Sequence, residues 1–119
     1  MLPRNYRLKN NNAFQATYHT RNSVSDELFI VFAGKPKKNE YTTRIGFVVS
    51  KKNHKRAVKR NRLKRLMRET FRLEIKENTN SNINNFTSLV IVARDAAIGQ
   101  NFDTIKNSLI TLINKLRVK

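Results

Sequence analysis

The sequence contains no cysteine, and that absence removes disulfides, thiolate metal sites and a cysteine nucleophile together. It suits a reducing compartment. Acidic residues are scarce too: 8 Asp and Glu stand against 25 Lys and Arg. A self-sufficient metal-dependent nuclease needs several carboxylates converging on its metal, and these few acids form no such cluster along the chain. The two histidines, His19 and His54, fall in turn or loop stretches. Long apolar runs are also missing. Residues 28–33 and 89–93 are the longest, far too short to cross a bilayer. The opening residues, from Met1 to Arg7, lack the apolar core of a signal peptide. The expectation is a soluble, unexported, cytoplasmic protein without a membrane role.

What is present is positive charge. The formal net charge is +17 over 119 residues, and self-repulsion of that size opposes a compact state. Folding does not require it, so a polyanionic partner is the natural explanation. Hydrophobic residues make up 39%, too many for a disordered chain of this charge. A chain of this length can bury one core without disulfides or a structural metal. No linker or repeat is visible, so residues 1–119 read as a single domain.

The pattern along the chain alternates between helix and strand. Asn10, Asn11 and Asn12 offer N-caps for a short first helix carrying Phe14 and Tyr18, which stand four apart and share a face. Residues 27–33 are rich in β-branched and aromatic side chains and end in breakers and charges from Gly34 to Asn39. Residues 42–50 follow, with Ile45, Phe47 and Val49 alternating. Two such runs joined by a polar turn predict a β-hairpin. Residues 56–77 contain no Gly or Pro, and their period is helical. Leu63, Leu66, Met67, Thr70 and Phe71 fall on one arc, with Asn61, Lys64, Arg65, Arg68 and Arg72 opposite. Residues 78–85 form a polar loop, and residues 89–93 read as a fully buried strand. Asn101 or Asp103 then caps a last helix with Ile105, Leu109, Leu112, Ile113 and Leu116 on its apolar side. The predicted fold is an α/β (α+β) two-layer sandwich in the order α-β-β-α-β-α, with room for an extra short strand.

Between Lys51 and Arg72 lie five Lys and six Arg against one acid, Glu69, so this stretch carries +10 of the total. An ordinary solvated helix face mixes both signs in supportive pairs four residues apart. Here Lys64 and Arg68, and Arg68 and Arg72, are like-charged neighbours. A helix that accepts repeated repulsion is built to meet an anion. Arginine prevails in the helix, and its planar fork grips phosphate bidentately and stacks on bases. Two readings stand for Phe14 and Tyr18: core residues, or platforms on which single-stranded bases stack.

Ser50-Lys51-Lys52, followed by the run from Ala57 to Glu69 (AVKRNRLKRLMRE) and by Phe71 and Arg72, resembles the arginine-rich signature of the bacterial ribonuclease P protein component family. The similarity extends to Arg7-Leu8 with Phe14 and Tyr18, to Arg44-Ile45-Gly46, and to the run from Val90 to Arg94. It covers roughly the whole chain. Many members carry a Gly-Asn pair where residues 53–56 stand here, and a Gly after the first helix where this chain reads His19-Thr20-Arg21-Asn22. The resemblance implies a fold like the second domain of ribosomal protein S5, with a left-handed βαβ crossover through the basic helix. General handedness rules would favour the opposite.

That resemblance also implies a function. The chain would be the protein subunit of the endoribonuclease ribonuclease P, without catalytic residues of its own. A catalytic RNA holding Mg²⁺ would hydrolyse precursor tRNA to give the mature 5′ end. Lys51, Lys52, Arg60, Asn61, Arg62, Lys64, Arg65 and Arg68 would face RNA, and Phe14, Tyr18 and Phe32 would line a cleft for the single-stranded 5′ leader. Asn61 would hydrogen-bond RNA or fix its neighbours. The alternative is a general RNA-binding or ribosomal-type protein, for which charge alone suffices. A helix-turn-helix DNA binder fits less well, because strands and not a partner helix precede the basic helix. No DNA partner is expected.

Overall fold

The computed structural model describes residues 7–8, 11–35, 43–49, 57–77, 83 and 85–117. Its elements in chain order are α1 (Asn11–His19), β1 (Asn22–Ser25), β2 (Phe29–Ala33), β3 (Arg44–Val49), α2 (Ala57–Glu77), β4 (Ser88–Ala93) and α3 (Phe102–Lys115), with a 3₁₀ turn over Asp95–Ala97. The four strands form one sheet in the order β1-β2-β4-β3. The sandwich and its helix–strand order agree with the sequence reading, and β1 is the extra short strand.

The predicted hairpin does not form. β2 and β3 are not neighbours, because β4 enters between them, antiparallel to β2 and parallel to β3. β4 is apolar on both faces, with Leu89, Val90 and Ile91 fully buried, and such a strand belongs inside a sheet, paired on both edges. The hairpin is instead β1–β2. Its turn is made by Asp26, whose Oδ1 accepts from the Leu28 and Phe29 amides at 2.8 and 2.9 Å. Those amides are thereby taken from any ladder upstream, which is why β2 begins at Phe29 and not at Glu27.

Strand alternation gives the sheet two unlike faces. On one, Phe29, Val31, Ile45, Leu89 and Ile91 meet Leu63, Met67 and Phe71 of α2 and Ile105, Leu109, Leu112 and Ile113 of α3 in a continuous core. Asn101 caps α3, its Oδ1 accepting from the Thr104 amide at 2.9 Å. On the other face lie two rows of cross-strand partners, Phe32–Val90–Gly46 and Ile30–Val92–Val48. Among the described residues α1 and Leu8 cover this side, and α1 is held where the Thr17 and Ser88 hydroxyls meet at 2.6 Å. Nine residues of helix cover the first row and leave the second half-exposed. β4 is therefore not buried throughout, since Val92 shows on the open side.

The turn out of α1 carries a local cost. Arg21 sits at φ 57°, the left-handed region that glycine enters freely and an L-residue enters at roughly 1–2 kcal/mol.

Candidate nucleic-acid interface

α2 owes its position to Phe71, which is fully buried and meets Phe47 of β3 edge to face, ring centroids 5.7 Å apart. With that stripe fixed inward, the basic residues take defined directions at about 100° per residue. Asn61, Arg62 and Arg65 are exposed, while Arg60, Lys64 and Arg68 are half-buried. Lys59, Arg60, Lys64, Arg65 and Arg68 meet no acidic partner among the described residues. Lys51 and Lys52 lie outside the described residues. The sequence reading treated Arg60 as one of a single RNA-facing set, but its phase puts it beside Leu63 and Met67, and its Nε is buried without an acceptor. Arg62 lies on the opposite flank, where its Nη1 donates to the Gln100 carbonyl at 3.3 Å.

Arg72 is engaged differently. Its Nε and Nη2 donate to the two oxygens of Glu69. Those hydrogen bonds hold the Glu69 carboxyl below its ordinary value and the Arg72 guanidinium above its own. The acid lying within the basic segment thus neutralises one cation near its end and leaves the rest of the face alone. The Asn61 amide, exposed, takes no protein partner among the described residues. Val58 is the one large hydrophobic residue among them that stands out in solvent, 80% exposed one turn before Asn61 and Arg62.

The open face of the sheet holds a groove of about 480 Å³ lined by Phe14, Gln15, Tyr18 and Val48. Gly46 makes it possible. A Cβ at that position would lie 2.4 Å from Phe14 Cζ and 2.5 Å from Cε1, so only glycine lets the ring lie down on the strand. Tyr18 stands edge-on to Phe32, centroids 4.8 Å apart, so Phe32 supports the wall from beneath. Burial pushes the Tyr18 phenol above its ordinary value. Gln15 and Val48 are members that sequence reasoning missed. Val48 had a signal, an apolar residue on the non-core parity of β3; Gln15 had none.

Among the described residues no three His, Cys, Asp or Glu converge as metal ligands, and no helix is long and apolar enough to cross a membrane. A helix of unpaired cations against one face of a sheet, with an aromatic groove on the other, defines a small α/β protein built to bind a polyanion.

Comparison with known proteins names the family. A family model described as Ribonuclease P matches residues 2–117. The ribonuclease P protein component of Clostridium kluyveri is 39% identical over 110 residues, covering 92% of this chain and 93% of that protein. Among solved structures, the Staphylococcus aureus RNase P protein aligns with a TM-score of 0.74 at 31% identity, over 92% of this chain and 93% of that one. The Thermotoga maritima RNase P protein aligns with a TM-score of 0.74 at 26% identity, over 93% and 97%. The chain belongs to the ribonuclease P protein component family. It is a ribonucleoprotein component with an RNA partner, and its work lies in tRNA 5′ processing.

Proposed function

We propose that this protein assists a catalytic RNA in removing the 5′ leader of precursor tRNA in the cytoplasm, binding that RNA through α2 and the single-stranded leader through the groove. The observation that carries the reading is the pairing of two unlike surfaces on one small domain: unpaired cations on α2, and a neutral aromatic groove on the opposite sheet face. Phosphate neutralisation explains the first, because each cation that meets a phosphate releases counterions. Stacking explains the second, since every base has an apolar face. Arg60, Arg62, Lys64, Arg65 and Arg68 meet RNA phosphates, and Lys51 and Lys52 add to the positive charge of the segment. Asn61 hydrogen-bonds RNA. Phe14 and Tyr18 stack on leader bases, with Phe32 behind them.

Hydrolysis needs an activated water and a stabilised leaving oxygen, and Mg²⁺ held by the RNA supplies both. The protein's share is electrostatic and positional. Catalytic RNA and precursor tRNA are both polyanions, and a +17 protein between them offsets their repulsion, so less Mg²⁺ is needed to bring them together.

The test is cleavage of precursor tRNA by a bacterial ribonuclease P RNA at low Mg²⁺, with and without the protein. Marked stimulation by a protein inert alone is expected. Absence of stimulation would favour a general RNA-binding role, and cleavage by the protein alone would overturn the mechanism.

A further inference from the structure

We infer that the hydroxyls of Thr17 and Ser88 are a positioning pair, which holds α1 back over the sheet and so keeps the row Ile30–Val92–Val48 uncovered. The inference deepens the function proposed above, and the second of its two tests rests on the leader-binding reading.

The open face has a further row of cross-strand partners, before Phe32–Val90–Gly46. It consists of Gly34, Ser88 and Arg44: the Gly34 amide donates to the Ser88 carbonyl at 2.8 Å, and Arg44 is the partner of Ser88 in β3. This row contains no apolar side chain. Rows on one face succeed one another at about 6.6 Å, two residues of strand, and a helix with its side chains is about 10 Å across. α1 therefore covers little more than one row and part of the next. Burial of apolar surface would draw it toward Ile30, Val92 and Val48, which are left half-exposed. It lies instead over Ser88, Phe32 and Gly46. Something other than apolar burial places it there.

Phe14, Thr17 and Tyr18 share one face of α1 and reach three different strands, at Gly46 of β3, Ser88 of β4 and Phe32 of β2. Phe14 pins the helix at the edge of the sheet. One pin permits a pivot, and the edge-on contact of Tyr18 with Phe32 is not directional enough to stop it. The hydroxyl pair is, because a hydrogen bond weakens steeply with distance and angle. Thr17 Oγ1 gives its one proton to the Ala13 carbonyl at 2.9 Å, so Ser88 is the donor to Thr17. Thr20 adds a second tie, its hydroxyl set between the carbonyls of Thr17 and Ala33. Gly34 gives the pair its room, since a Cβ there would collide with the Ser88 hydroxyl. Thr17 is 1% exposed, so water does not compete for its bond. A helix of nine residues has little stability of its own and takes its place from these contacts.

The first test needs no RNA. The sequence has no cysteine, so Val92→Cys supplies a single thiol on the uncovered row. Its rate of modification by a small alkylating reagent measures how open that row is. In this background Thr17→Val with Ser88→Ala removes both hydroxyls together, which leaves neither partner unsatisfied and stability nearly unchanged. α1 should then swing over the thiol, and modification should slow severalfold. An unchanged rate overturns the inference. A faster rate overturns it too, because the pair would then only fasten α1 to the sheet. Thr17→Ser keeps the hydroxyl and should keep the original rate; slowing there would trace the effect to the lost methyl group and sink the pair's role.

The second test uses the reconstituted holoenzyme without the cysteine. Under the paired substitution, precursor tRNA with a long leader should lose its affinity advantage over one with a short leader. Affinity for ribonuclease P RNA and the cleavage rate at saturation should hold, and Thr17→Ser should retain the advantage. An advantage kept in full by the paired variant overturns the positioning role. An advantage missing from the unsubstituted protein overturns the leader-binding reading alone, because the thiol measurement decides the placement of α1 without it.

Discussion

The same three strands build both faces of the sheet, with apolar side chains on each, yet one face is sealed and the other open. Against the first lie α2 and α3, of 21 and 14 residues, and they exclude water from Phe29, Val31, Leu89 and Ile91. Against the second lies α1, of 9 residues, which covers Val90 and leaves Ile30, Val92 and Val48 half-exposed. The difference is one of cover, not of strand composition. An apolar strip left open on a highly charged protein marks a binding surface. The cations stand elsewhere, on the outer side and flank of α2. Charge supplies attraction without sequence preference, and the groove supplies position.

Breaking the sealed face should have the largest effect. Phe71 is fully buried and carries the contact between α2 and β3, so Phe71→Ala should cost about 3–5 kcal/mol. Thermal unfolding measures it. An unaltered melting temperature would show that α2 is not docked through this ring, and with it the orientation of both flanks would be lost.

A smaller and more local effect is expected on the open face. Gly46→Ala places a methyl group within 2.5 Å of the Phe14 ring, and overpacking of this kind costs about 1–3 kcal/mol. The ring must lift from the strand, so the groove deforms while α2 stays in place. Leader-dependent affinity should fall and affinity for the catalytic RNA should hold. Adding Phe14→Leu should recover stability, because a shorter side chain clears the methyl, but not the leader gain, because the stacking surface is gone. If Gly46→Ala leaves both melting and leader dependence unchanged, glycine is not what seats the ring.

The comparison also shows what a single sequence can disclose. α2, α3 and the Asn101 cap were legible because helical period and capping are local properties. The neighbours of β2 were not. β2 and β3 carry equally good alternation, and nothing between them says that β4, some forty residues later, will pair with both. β1 has one apolar residue in Asn22-Ser23-Val24-Ser25, and it is a strand because the Asp26 turn lays it against β2. The aromatic members of the groove were legible through family resemblance, and the basic face through charge. Val48 and Gln15 were not, since exposure of Val48 depends on how far α1 reaches. Arg60 was placed in the RNA-facing set by family resemblance, and the helical phase fixed by Phe71 adds that it lies beside Leu63 and Met67.

The smallest expected effect concerns where the basic face ends. Glu69 is held below its ordinary value chiefly by the hydrogen bonds from Arg72. A carboxyl depressed in the folded state contributes stability above its unfolded pKa, and that contribution is lost as pH falls through the folded one. The pair lies on the surface, where screening makes such contributions slight. Glu69→Gln should therefore leave melting near neutral pH almost unchanged and remove only a shallow acid-side slope. Its effect on RNA binding should be easier to see. Arg72 has the phase of Arg65 and Asn61 on the outer face, and without Glu69 it becomes a free cation there. If the RNA footprint reaches that far, the plot of log affinity against log salt should steepen by about one. An unchanged slope would place the edge of the footprint between Arg68 and Arg72, and would give Glu69 the role of holding apart two arginines four residues from one another.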